Sequence, residues 1–143
     1  MKIKSILAEK GGEVLTLRSD ATVEEAVASL AKHRIGALII TDGGGIIKGI
    51  ISERDIIRHL AEDGTEVLQH KIANVMTANV KVCSEEHTIN DAMEIMTRGR
   101  FRHLPVEKAG KLIGVISIGD VVKRKIEETE REAEEIRTYI ATA

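Results

Sequence analysis

The chain has 143 residues, of which 43% are apolar and only 1% aromatic, with a formal net charge of −2. This length suits one compact domain with a core of Ile, Val, Leu, Ala and Met. The small acidic excess and the shortage of aromatic stacking platforms argue against nucleic acid, and no apolar run approaches the ~20 residues that cross a bilayer.

In chain order, MKIKSILAEKGG (1–12) lacks the long apolar core and small-residue cleavage site of a secretory signal. The single Cys83 allows no internal disulfide and points to a reducing compartment, so a soluble cytoplasmic protein is expected. VLTL (14–17) reads as a short extended run. ATVEEAVASLAKHR (21–34) places apolar residues at i, i+3, i+4 and i+7, one face of a helix that Ser19 or Asp20 can cap. GALIIT (36–41) and IIKGIIS (46–52) flank DGGG (42–45) and predict a β-hairpin. Gly44 and Gly49 have Walker-loop spacing, but Ile50 follows where Lys is needed, so the glycines read as a turn with positive φ. A second helix begins near Ser52 and stops near Gly64, and KIANVMTANV (71–80) joins the halves.

The chain then writes the same unit again. VKVC (80–83) is a short extended run, and HTINDAMEIMTRGR (87–100) is a helix preceded by Ser84 or Glu85. RHLPVE (102–107) and LIGVISI (112–118) form a hairpin, and a last helix starts near Ser117. Thr22 matches Thr88, Ala26 matches Ala92 and Arg34 matches Arg100 at an offset of 66, which drops to 65 past the hairpin turn. Each strand–helix–strand–strand–helix unit would be only marginally stable alone. The expected fold is therefore α/β, with two intimate halves. Residues 1–70 form the first repeat with the N-terminal segment, 71–126 the second, and 127–143 a C-terminal helical extension.

Each unit ends its hairpin in the same way, GIISERD (49–55) and GVISIGD (114–120). The local explanation is a helix cap, in which Ser accepts a free amide and the acid three residues on returns the bond. A capping box favours Glu or Gln, and Asp is short for that reach. The chemical explanation uses the same position. A strand running directly into a helix offers free N–H groups and a positive dipole end to an anion. An ionised Asp only accepts, and its two oxygens suit a ribose diol. Apolar strand residues beside it leave a slot for a flat base.

The doubled unit, the paired Gly-x-x-Ser-x-x-Asp ends, FRHLPV (101–106) and VMT (75–77) together resemble a tandem cystathionine-β-synthase (CBS) domain pair, over roughly residues 1 to 130. The resemblance implies two β-α-β-β-α repeats about a pseudo-twofold axis. Its ligands would be adenosine compounds: AMP, ADP, ATP, NAD or S-adenosylmethionine. It implies ribose contacts from Asp55, Asp120, Ser52 and Ser117. A base pocket would form from Ile35, Phe101, Thr77 and Val80, and phosphate contacts from Arg102, His103 and Arg54. Pro105 cannot donate to a ladder and marks an edge or a break where a base could meet backbone groups. The halves differ: Gly36 and Ala37 stand opposite Arg102 and His103, and Glu53 and Arg54 opposite Ile118 and Gly119. The two clefts should not be equivalent, and the basic side favours a pyrophosphate such as that of ADP or NAD.

In the C-terminal stretch Val122, Ile126, Thr129, Ala133, Ile136 and Ile140 form a heptad seam that Thr129 and Ala133 weaken, so the overrunning helix packs on another chain, giving a homodimer, or folds back on its own. Catalysis has little support. The five His show no metal-site pairing, and neither Ser sits in G-x-S-x-G. The expected function is a regulatory, signal-transducing nucleotide sensor acting in trans on an effector protein, with no catalytic or metal residues. The alternative is a structural or oligomerisation module.

Overall fold

Both hairpins form where the paired apolar runs put them. In the computed structural model, which describes residues 1–142, β2 (Ala37–Thr41) pairs antiparallel with β3 (Ile47–Ser52). Likewise β4 (His103–Lys108) pairs with β5 (Lys111–Ser117). Each ladder slips at the matching place, Ile40/Thr41 in one and Val106/Glu107 in the other, so the repeat extends even to its bulge. The glycine cluster is a hairpin turn. Asp42 accepts from the amides of Gly44 and Ile46 at 2.7 and 3.1 Å, and Gly43 and Gly45 take φ of 95° and 91°.

Helices α2 (Val23–His33) and α4 (Ile89–Gly99) bury Val23, Ala26 and Leu30, and Ile89, Ala92 and Met96. Their caps are Thr22 and Thr88, not Ser19, Asp20, Ser84 or Glu85. Each threonine accepts the third helical amide, and Glu25 or Asp91 accepts the threonine amide in return. Helix α3 (Glu53–Asp63) ends at Gly64 as its sequence predicts.

One expected strand is reduced to a single rung. Thr16–Arg18 (β1) pairs parallel with β2 and completes a sheet of order β1-β2-β3. Its counterpart near Cys83 makes one parallel bridge to Val106. Cys83 donates to the Pro105 carbonyl at 3.0 Å and accepts from the Glu107 amide at 2.9 Å. The next rung would need an N–H from Pro105, which has none, so the ladder stops there.

Chain order groups residues 1–10 with the first repeat and 71–77 with the second, but in space the two segments are exchanged. Helix α1 (Ile3–Lys10) contributes Ile3, Ile6 and Leu7 to the core of the second repeat, with Cys83, Met96, Leu104 and Ile116. Ile72 and Val75 join the core of the first, with Leu38, Ile40 and Ile51. The backbone contacts correspond one to one. The Ile3 amide donates to His87 and that of Ile89 to Met1, at 2.8 and 3.0 Å. The Ile72 amide donates to Ala21 and that of Val23 to His70, at 2.8 and 2.9 Å. Ile3 and Ile72 are fully buried, so each ties one repeat to the other with about 1.5–3 kcal/mol of apolar burial.

After β5 the chain runs as one helix, α5 (Ile118–Thr142), with Val121 buried. The expected extension is its outer half as far as Thr142, and Ala143 lies outside the described residues. No helix among the described residues is long and apolar enough to cross a membrane.

Candidate functional site

The junction of β3 and α3 is set by Ser52 and Asp55. The Asp55 amide donates to Ser52 Oγ at 3.2 Å, and the Ser52 amide and hydroxyl donate to Asp55 Oδ2 at 2.9 and 3.0 Å. Asp therefore does close a capping box, contrary to the expectation that it is too short. Asp120 does the same with Ser117, whose amide donates to Oδ2 at 2.8 Å. The tight turn from strand into helix brings the carboxylate close enough. Asp55 is 7% exposed, and its other oxygen receives Arg58 at 2.9 Å.

Ser52, Arg54 and Asp55 open onto a cleft of about 550 Å³ between the repeats. Its second side is the exchanged segment after Val75, through Thr77, Asn79, Val80 and Lys81. Thr77 and Ile50 are fixed by reciprocal backbone bonds of 2.8 and 2.9 Å, which carry the segment along the edge of β3. The third side is the α4–β4 loop, with Arg100, Phe101, Arg102 and His103. Arg100 ends α4 in the left-handed conformation, φ 55°. The Phe101 ring then lies against Gly99, where a β-carbon would fall 2.0 Å from the ring.

Eight of the sequence-selected residues thus meet in one cleft: Ser52, Arg54, Asp55, Thr77, Val80, Phe101, Arg102 and His103. Four do not line it. Ile35 is partly exposed after α2, and Pro105 is buried within β4. Ser117 and Asp120 occupy the matching junction of the second repeat, where Lys10 Nζ lies 2.6 Å from Asp120 Oδ2. Sequence reasoning passed over Arg58, Lys81 and Arg100. The signal for Arg58 was its position one turn past Asp55, and for Arg100 its match with Arg34, which also ends its helix at positive φ.

The electrostatics of the cleft are lopsided. Arg54, Arg58, Lys81, Arg100 and Arg102 face only Glu53 and Asp55 as acids. Arg58 pairs with Asp55, but Arg54, Lys81, Arg100 and Arg102 make no ion pair with a carboxylate of the described residues. A recess of about 300 Å³ shares Arg54, Arg100 and Arg102 with the cleft and extends the basic rim. His103 lines the same cleft. Burial, then Lys10 and Arg102, hold its pKa below the ordinary 6.5. This arrangement suits an anion of more than one charge, with the apolar side chains of Ile50, Val80 and Phe101 in the same lining.

Away from the cleft, His59, Glu62 and Asp63 come within 4.8 Å of one another at the end of α3. They are consecutive neighbours on one helix surface, as i, i+3 and i+4 residues must be.

Comparison with known proteins places these features in a family. The CBS domain family matches residues 4–62 and 72–127. The CBS domain-containing protein CBSX3, mitochondrial, of Arabidopsis thaliana is 35% identical over 146 residues, covering 96% of this chain and 71% of that protein. The CBS-domain containing protein ATU1752 from Agrobacterium tumefaciens superposes with a TM-score of 0.84 at 45% identity, over 87% of this chain and 99% of that one. The CBS domain pair of MJ0100, in complex with 5′-methylthioadenosine and S-adenosyl-L-methionine, superposes at 0.79 with 26% identity, over 90% and 98%. The CBS domain protein PAE2072 from Pyrobaculum aerophilum, complexed with AMP, superposes at 0.74 with 28% identity, over 84% and 89%.

Proposed function

The chain belongs to the CBS-domain family, and on that premise we propose that it is a non-catalytic regulatory module whose inter-repeat cleft binds an adenine nucleotide. The observation that carries this reading is the rim of unpaired cations around the Ser52–Asp55 junction. Asp55 would hold the ribose diol, and Ser52 the ribose or the first phosphate. Phe101, Thr77 and Val80 would pack on the base, and Arg54, Arg102 and His103 would meet phosphates, joined by Lys81 and Arg100. Relatives are bound to AMP and to S-adenosyl-L-methionine. Here the positive rim favours ADP, ATP or NAD over a ligand whose sulfonium is itself a cation.

As a regulatory module it would pass its signal to an effector protein, in a cytoplasmic setting. Exposed Val122, Ile126, Ile136, Tyr139 and Ile140 on α5 support a homodimer through that helix. The same residues are the observation favouring the second reading, an oligomerisation module with no ligand.

Thermal unfolding with AMP, ADP, ATP, NAD and S-adenosylmethionine separates the two. A ligand at a hundred times its Kd stabilises by about 2.7 kcal/mol, or roughly 5–10 °C for a chain of this size. A shift with the phosphate-bearing ligands supports the sensor. No shift with any of them leaves Ser52 and Asp55 as a helix cap and favours the oligomerisation module.

A further inference from the structure

The two Ser-x-x-Asp junctions are built alike and finished differently. In the first repeat the carbonyl of Ile50 receives the backbone amide of Thr77, and Asp55 faces the cleft. In the second repeat Val115 is the counterpart of Ile50, at the offset of 65. Its carbonyl instead receives the ammonium of Lys10, at 3.1 Å, and the same ammonium donates to Asp120 Oδ2 at 2.6 Å. Oδ2 of Asp120 thus carries Lys10 and the Ser117 amide together.

This cation is not on a loose tail. Ile3, Ile6 and Leu7 anchor α1 in the core, and Glu9 pairs with Arg124 of α5. Lys10 is the last residue of α1, where the helix dipole favours a positive charge. Gly11, at φ 92°, then turns the chain away. Burial works to raise the Asp120 pKa, but Lys10 and the Ser117 amide outweigh it and hold the carboxyl below its ordinary value.

We propose that Lys10 is a built-in occupant of the second junction, holding the Asp120 oxygen that a ribose diol would need, so that the chain takes up one nucleotide, beside Asp55, while a second site stays latent behind Lys10. The side chain of Lys10 is 39% exposed, which leaves it room to swing away without undoing the packing of α1. The proposal rests on the reading of the first cleft as a nucleotide site.

The test is the stoichiometry of ADP binding to the full chain by isothermal titration, with wild type, Lys10→Ala, Lys10→Gln and Lys10→Ala/Asp120→Asn compared. The expected result is one equivalent for wild type, two for either Lys10 variant, and one again for the double variant. Two equivalents in wild type, or one in both Lys10 variants, overturns the latch and leaves the first cleft standing. A second equivalent that survives in the double variant also overturns it, because that site does not use Asp120. No binding to wild type with one equivalent in Lys10→Ala overturns the first-cleft reading alone. No binding to any variant overturns both.

Discussion

Ser52 and Asp55 hold one another through three hydrogen bonds of 2.9, 3.0 and 3.2 Å, so helix cap and ligand clamp are two uses of one geometry. The cap fixes the carboxylate before any ligand arrives, which lowers the ordering cost of binding. Asp55→Asn separates the two uses. The amide oxygen can still accept at the cap, so the free protein should lose no more than about 1 kcal/mol. The charge and the paired acceptors for a diol are gone, and the ADP-dependent rise in unfolding temperature should vanish. A rise of unchanged size in Asp55→Asn would remove Asp55 from the site.

His103 gives the protein a pH dependence with a defined sign. Burial, then Lys10 and Arg102, depress its folded pKa, while Asp120 and Glu53 pull weakly the other way. Between the unfolded value, about 6.5, and the lower folded value, the unfolded chain takes a proton that the folded chain refuses. Stability should therefore fall as pH drops through that window, and His103→Gln should flatten the fall in urea unfolding curves. A bound phosphate favours the imidazolium and reverses the shift. ADP should then bind more tightly near pH 6 than near pH 8, with proton uptake visible in titrations using buffers of different ionisation enthalpy.

The repeated elements were legible because each carries its own local signal. Period 3.6 marked α2 and α4, paired apolar runs about a turn marked the hairpins, and Gly64 marked the end of α3. What escaped were features set by contacts distant in sequence. Pro105 was visible as a ladder-breaker, but not the fact that it faces Cys83 and reduces the expected strand to one bridge. The exchange of α1 with residues 71–77 was also missed. Its signal was present, since Lys2-Ile3-x-x-Ile6-Leu7 recurs as Lys71-Ile72-x-x-Val75-Met76, but the offset is 69 rather than 66. Ser52 and Asp55 were marked by the doubling of the junction, and Thr77, Val80, Phe101, Arg102 and His103 by the resemblance to the CBS domain pair. Lys10 was not, because the first repeat offers no lysine in its place.

Gly99 gives a test of the base pocket that leaves every charge untouched. A β-carbon there would lie 2.0 and 2.5 Å from two ring carbons of Phe101, so Gly99→Ala must push the ring out of place. The free protein should lose about 1–3 kcal/mol, because the displaced ring packs against the core of the second repeat and this outweighs the better helix propensity of Ala. Adenine-containing ligands should bind less tightly, while inorganic pyrophosphate, which uses only the cationic rim, should be unaffected. Equal weakening of both ligands would mean that Phe101 does not contact the base.

The interlocked halves make a prediction about two glycines at matching places. A β-carbon on Gly49 would lie 2.7 Å from the Thr77 carbonyl oxygen and from the Met76 sulfur. On Gly114 the nearest atoms belong to the Leu7 side chain, at 2.6 Å and beyond. Backbone cannot yield as a side chain can. Gly49→Ala should cost about 1–3 kcal/mol by forcing the exchanged segment off β3. Gly114→Ala should cost less, as Leu7 changes rotamer. Denaturant unfolding of the two variants checks the order, and equal costs would show that the two lead-in segments are held with the same rigidity.

The outer half of α5 carries the last prediction. Ile136, Tyr139 and Ile140 are 60, 74 and 68% exposed, and none belongs to either core. Three large apolar side chains on one free helix gain about 1.5–3 kcal/mol each when a second copy covers them. Charges at those positions should abolish that gain and leave the repeats alone. Ile136→Lys/Ile140→Lys should sediment as a monomer at concentrations where the wild type associates. Its unfolding temperature at high dilution should match that of the wild type, because neither side chain contributes to folding the single chain. If the variant keeps the wild-type sedimentation profile, association uses another surface. If its dilute unfolding temperature falls, the outer helix packs back on its own chain.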